Sequence, residues 1–244
     1  LKVHICCQFV PFSFKLFCSE IIYSTKFLKD DKCNQFSISI NKTSKNSYEA
    51  TDPVVITENE SGTEVKFCNL DDNITVHNFE SSKFLSYLNS EFGWYLHLNK
   101  DKGISLKING EDINYSEIIA ESETIEKLIS GKDSESAMFK IHYIRWKKKI
   151  GEKSYNYFLD SQGVENSKQP TSFNNKSDDF YHSVYVESAY FDNFQFESGQ
   201  NEQQTNLFAK NQTDQIFKKL SKHIKEILET KRKSYIRVNA DSYI

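Results

Sequence analysis

The sequence predicts an α+β protein, and three observations carry that expectation. Short β-rich runs crowd the first quarter, an amphipathic helix opens a second unit near Ser82, and a long amphipathic helix closes the chain. Residues 13–23 read as a buried helix running into a strand. Phe36, Ile38 and Ile40 then alternate with polar residues, the mark of a half-buried strand. Residues 54–57 and 63–68 are two more β-rich runs, separated by the turn formers Asn59, Ser61 and Gly62. The first quarter is therefore expected to be mainly antiparallel sheet.

In residues 82–95, Phe84, Leu85, Leu88, Phe92 and Tyr95 fall at helical spacing and should pack on a sheet as one stripe. Residues 104–108, Asn109-Gly110 and Ile113 spell strand, tight turn and return strand, because Asn-Gly tolerates the positive φ of a two-residue hairpin loop. Residues 117–129 are expected to form a short acidic helix and 131–136 an exposed loop. Strands are expected over 139–146, 154–160 and 183–190. The polar stretches 161–179 and 198–210 read as long loops, which more often serve function than packing. Over residues 213–231, Ile216, Phe217, Leu220, Ile224, Ile227 and Leu228 repeat at helical spacing beneath a basic face. Asp214 near the start of that helix, and Lys231, Arg232 and Lys233 at its expected end, complement the helix dipole.

A net charge of -3 and a pI near 6.1 give no global basic footprint, so nucleic acid is not an expected partner. Nor is a membrane: Lys2, Gln8, Lys15 and Glu20 break the apolar N-terminal stretch well short of the ~20 residues a spanning helix needs. The five cysteines form no Cys-x-x-Cys pair and no His-spaced ligand set, so they read as reduced thiols of a cytoplasmic protein, without a metal site. The chain opens on an apolar run without Met and is expected to start inside a domain.

Gly62-Thr63-Glu64-Val65-Lys66-Phe67, followed by Asn69-Leu70, resembles the Gly-Thr strand that closes the ATP-binding domain of the GHKL superfamily. Gyrase B, MutL, MORC proteins and the heat-shock protein 90 chaperones belong to it. After about a dozen residues, mostly polar, Lys83-Phe84-Leu85 opens an amphipathic helix, and a strand with an Asn-Gly turn follows. That order resembles the junction between ATPase head and transducer domain in MutL. Farther on, Val184-Tyr185-Val186-Glu187-Ser188 resembles the Tyr-Val-Asn-Gly-Arg strand of the same transducer, with Asn, Gly and Arg replaced.

The resemblance implies an antiparallel sheet remnant of the ATPase head over residues 1–76 and a βαβ transducer-like domain with a long C-terminal helix over 77–244. It implies a parent protein that binds ATP and Mg, couples binding to conformational change, and forms a homodimer. Thr63 would join a water-mediated network to the adenine amino group, and Gly62 would admit close backbone approach. Lys210, in a loop before a helix and beside Gln204-Thr205, would reach the γ-phosphate. The Asp-x-Gly-x-Gly box, the glycine-rich lid and the helix bearing the catalytic Glu and the Mg-binding Asn are not supplied before Gly62. This chain alone is therefore expected to hold neither ATP nor Mg, and to carry no catalytic residue.

Plainer readings stand beside these. Gly62-Thr63 also fits an ordinary hairpin turn running into a strand. Lys176 rivals Lys210 as a phosphate sensor, or is a solvated loop lysine. His182 reads as a general base or, with no nucleophile beside it in the sequence, as a hydrogen-bonded structural residue. Lys147 to Lys149 and Lys231 to Lys233 read as phosphate contacts or as solvated ends of elements. The alternative function is a non-catalytic protein-interaction module that docks a protein partner; a hydrolase built on His182 or a cysteine lacks a nucleophile elbow.

Overall fold

The computed structural model describes residues 16, 18–43, 47–57, 61–132, 135–174, 176, 178–196, 210–211 and 214–241. It shows a mixed α+β protein of two compact units, Leu1–Ser81 and Ser82–Ile244. The sequence placed the boundary a few residues earlier, after Val76.

The first unit carries β1 (Cys18–Lys29), β2 (Lys32–Asn41), β3 (Glu49–Ala50), β4 (Val54–Ile56) and β5 (Gly62–Leu70), followed by a short helix α1 (Val76–Glu80). The strands form one antiparallel sheet of order β3-β2-β1-β5, with β4 also paired to β2. Residues 18–23 are the strand into which the expected helix was to run, because Ile21, Ile22 and Tyr23 find ladder partners on both sides; residues 13–15 and 17, where the helix was expected, lie outside the described residues. Asp30 and Asp31 turn β1 into β2 with φ of 52 and 57°, which Asp tolerates.

Register fixes the two faces of this sheet, since directly paired residues point the same way. Ile21 pairs with Ile40 and Phe67, Tyr23 with Ile38 and Val65, and Thr25 with Phe36 and Thr63, giving one apolar face. Ser24 with Ser37 and Glu64, and Lys26 with Gln35 and Gly62, make the middle of the other face polar, between Cys18 opposite Leu70 at one end and Leu28 opposite Cys33 at the other. On that polar side the Ser24 and Ser37 hydroxyls lie 3.0 Å apart and Ser39 donates to Glu20 at 2.7 Å.

The second unit begins with α2 (Ser82–Leu98) and a small hairpin, β6 (Lys107–Ile108) and β7 (Glu111–Asp112), whose Asn109 and Gly110 take the expected positive φ. Its sheet comprises β8 (Ile119–Ser130), β9 (Ser136–Trp146), β10 (Tyr155–Leu159), β11 (Glu165–Pro170) and β12 (His182–Glu187), in the order β11-β10-β12-β9-β8. All neighbours are antiparallel except β10 and β12. Those parallel strands are joined through β11 and irregular chain, so the helices of this unit flank the sheet in sequence and do not cross over within it. A two-residue pair, β13 (Phe194–Gln195) and β14 (Lys210–Asn211), precedes the closing helix α3 (Gln215–Asp241).

Helix α3 covers one face of the sheet. Ile216, Leu220, Ile224 and Leu228 are buried against Phe139, Ile141, Tyr143, Phe158, Val184 and Val186. Asp214 caps α3 by accepting from the Ile216 and Phe217 amides, and it also accepts from the Tyr190 hydroxyl at 2.7 Å. Gly131 lets the helix come close, because a Cβ there would stand 3.0 Å from Ile216. On the opposite face α2 docks through Trp94, which stacks on Tyr185 at 4.5 Å; Tyr185 stacks in turn on Tyr157 at 4.7 Å.

Four elements depart from expectation. Residues 119–130 are strand and not acidic helix, because Ile125 and Ile129 satisfy either period and the long β9 supplies a full ladder. β11 lies inside the stretch expected to be loop. The buried positions of α2 are Leu88, Gly93 and Leu96, while Phe92 and Tyr95 remain exposed. Finally, α3 runs to Asp241, so Lys231 to Lys233 are interior to the helix and not its end.

Candidate functional site

Gly62 and Thr63 open β5 opposite Lys26 and Thr25. Successive strand residues point to opposite faces, so the sheet separates the two. Thr63 stands exposed on the apolar face, with its hydroxyl 3.2 Å from that of Thr25. Gly62 belongs to the polar face, beside a hollow of about 430 Å³ whose lining includes Ser24, Lys26, Gln35 and Glu64 and which Thr63 also borders at the strand end. A Cβ on Gly62 would meet nothing within 4 Å, so no described neighbour requires glycine there. Lys210 belongs to the second unit; its backbone pairs with Phe194, and its side chain lies outside the described residues, as do Gln204 and Thr205.

Chemistry-bearing side chains gather at one end of the second unit, where the β9–β10 connection meets the stretch before β12. His182 is 2 % exposed. Its Nδ1 lies 2.8 Å from the Phe180 carbonyl and must donate, so Nε2, 3.0 Å from the Thr171 hydroxyl, accepts. Burial lowers the pKa of the ring and the Phe180 carbonyl only partly restores it, leaving a neutral imidazole with both nitrogens engaged. That is a structural histidine, not a base aimed at a substrate.

Beside it, a hollow of about 200 Å³ has Trp146, Ile150, Phe173 and Phe180 in its wall and Lys149, Lys153 and Lys176 on its rim. Asn174 fastens the two segments that carry these lysines. Its side-chain oxygen accepts from the Ser154 amide at 2.6 Å, and its nitrogen donates to the Ser154 and Thr171 carbonyls at 2.9 Å. Arg232 of α3 donates to Asp178 at 2.5 Å, and the Tyr181 hydroxyl donates to Asp179. Sequence reasoning marked Lys149, Lys176 and His182 separately but missed Lys153 and Asn174, for which the only signal was their place in polar connections.

Lys231 is drawn to the sheet, bonding Glu121 at 2.6 Å and Glu123 at 2.5 Å. Burial opposes the charge on Glu121, yet the bonds from Lys231 and Arg145 prevail and hold its carboxyl below the usual range. His142, 5 % exposed, is lowered to about 4, by burial first and then by Lys140 and His97. No group of three His, Cys, Asp or Glu among the described residues is placed to hold a metal ion, and no described helix is long and apolar enough to cross a membrane.

Fold and site thus define a two-unit α+β protein with one described hollow in each unit. Comparison with protein-family models finds no match for the chain, and a search of curated proteins finds none either.

Proposed function

We propose that the chain is the junction segment of a GHKL-type ATPase, its β1–β5 sheet belonging to the ATP-binding head and its second unit acting as the transducer that moves when nucleotide binds. The observation that carries this reading is the side from which Thr63 projects. Thr63 shares the apolar face with Val65 and Phe67, which are 39 % and 44 % exposed. An amphipathic sheet buries its apolar face, so a helical layer, and a nucleotide held beneath it, would belong on the side of Thr63. The order of elements adds to this: β5 is followed directly by helices and then by a second sheet with a long closing helix.

In such a parent, Thr63 would join the network to adenine, Gly62 would allow close backbone approach, and Lys210 would sense the γ-phosphate. ATP and Mg would be held by groups this chain does not supply. The parent would dimerise, in a cytoplasm that keeps the thiols of Cys18, Cys33 and Cys68 reduced.

Two measurements test the proposal. Titrating this chain with Mg-ATP is expected to give no saturable binding at micromolar concentration; tight binding would show that the nucleotide-holding half is not elsewhere. The reading frame upstream of Leu1 is expected to encode Glu-x-x-x-Asn and then Asp-x-Gly-x-Gly, and unrelated sequence there overturns the assignment. A second reading, a non-catalytic interaction module, draws on the exposed Tyr87, Phe92 and Tyr95 of α2.

A further inference from the structure

We infer that the hollow between the β9–β10 connection and the segment before β12 is a binding site for a small free phosphate compound, held by Lys149, Lys153 and Lys176. This rests on side chains of the second unit alone and is independent of the reading of Gly62 and Thr63.

The rim and wall hold three lysines and three acids, Glu152, Asp178 and Asp179. Asp178 is neutralised by Arg232, and one oxygen of Asp179 is occupied by the Tyr181 hydroxyl. None of the three lysine ammonium groups has an acidic partner within ion-pair distance among the described residues. With Arg232 counted, four cations stand against three carboxylates, an excess of one positive charge at the hollow within a chain whose overall balance is -3.

Lys149 and Lys153 lie on one segment and Lys176 on another, and unlinked segments would let the three drift apart. Asn174 ties the two at Ser154, and the Ser154 hydroxyl also accepts from the His182 amide at 3.3 Å. Arg232 and Tyr235 pin the second segment to α3. Asn174 and the Arg232–Asp178 pair thus anchor points close to the lysines in sequence, which lowers the ordering cost of binding. At about 200 Å³ the hollow lies below the range usual for drug-sized ligands, which favours a compact anion. Compact ammonium groups suit the several oxygens of a phosphate, and the apolar wall of Trp146 and Phe173 can take a small organic substituent.

The test is calorimetric titration of the full chain with pyrophosphate at low salt, alongside sulfate. Saturable binding of pyrophosphate is expected, weakening as salt is raised, with sulfate at least about tenfold weaker. Lys149→Ala/Lys153→Ala/Lys176→Ala is expected to weaken binding at least tenfold with an unchanged unfolding midpoint. Lys100→Ala/Lys102→Ala/Lys107→Ala removes the same charge from exposed sites of the same unit and should leave affinity within twofold. Asn174→Ala keeps every lysine and should still weaken binding severalfold. Absent binding, equal sulfate binding, equal loss in the two triple variants, or retention only on phosphatidic acid vesicles would each overturn the proposal.

Discussion

The sheet of the second unit lies between α3 on one face and α2 on the other, and residues such as Phe139, Ile141, Tyr143, Val184 and Val186 are sealed from solvent within it. In the first unit, β1 to β5 form a comparably regular ladder, yet only Cys18, Ile21 and Cys33 are buried among its described apolar residues. Hydrogen-bonded pairing is thus well formed in both units, while core formation is not. Because net stability comes mainly from burial, the two units should differ in resistance to unfolding far more than their strand content suggests.

The largest effect expected from this contrast separates two single substitutions. Leu220→Ala removes a fully buried side chain from the α3–sheet contact and should cost about 2–5 kcal/mol. Phe67→Ala removes a larger side chain, but one that is 44 % exposed, and should cost under about 1 kcal/mol. Both tryptophans, Trp94 and Trp146, lie in the second unit, so urea unfolding followed by their fluorescence reports that unit. Hydrogen exchange supplies the other half, with amides of β5 expected to exchange far faster than those of β12. Equal protection of the two strands would show that the apolar face around Thr63 is covered, and would erase the contrast.

The next effect is a pH dependence confined to the well-packed unit. His142 has a folded pKa of about 4 against an ordinary value of 6.5, lowered chiefly by burial. Between those values the unfolded chain takes up a proton that the folded chain refuses. Its contribution is therefore fully present above pH 6.5 and lost as pH falls towards 4, about 3 kcal/mol in all. His182, lowered in the same direction, acts with the same sign. His142→Gln should be less stable at neutral pH, having lost the contact of Nδ1 with Thr124, but should decline less between pH 7 and 4. Parallel declines of parent and variant would assign the acid sensitivity to carboxylates instead.

The same contrast explains what the sequence disclosed. Strands β2, β5, β9, β10 and β12 and helix α3 were legible because their apolar residues repeat at the period of the element they form. β11 was not, because Glu165–Pro170 is a polar edge strand held by backbone pairing to β10 and by Asn166 donating to the Phe191 carbonyl at 2.6 Å. β8 was misread because its acidic residues looked like a solvated helical face. Two of them, Glu121 and Glu123, in fact meet a cation from α3, a partner 110 residues away from Glu121 in sequence. Of the candidate site residues, Thr63 was legible as a strand residue, but the face it would occupy depended on a register that only the paired strands define. The hollow beside His182 was legible only as scattered lysines, since Asn174 joins the two polar segments that line it.

The smallest effect concerns that misread cation. Lys231 bridges Glu121 and Glu123 while its side chain is 22 % exposed and theirs are 38 % and 46 % exposed. Burial alone would lower its pKa, but the two carboxylates outweigh that and raise it. Lys231→Met keeps the stem over Tyr143, where Nζ lies 5.2 Å from the ring centre, and removes the charge. Two half-buried carboxylates then face each other with only Arg145 to offset Glu121. After allowance for solvent screening, a loss of about 1–2 kcal/mol at pH 7 is expected. Glu121 is held below its ordinary pKa, so the stability from this contact is present above that ordinary value and lost as pH falls through the folded one. The deficit of Lys231→Met should accordingly shrink as pH falls through the folded pKa of Glu121, and shrink also with added salt. A deficit independent of both pH and salt would show that Lys231 acts by packing alone, and that α3 is held to β8 by its apolar face without the charge pair.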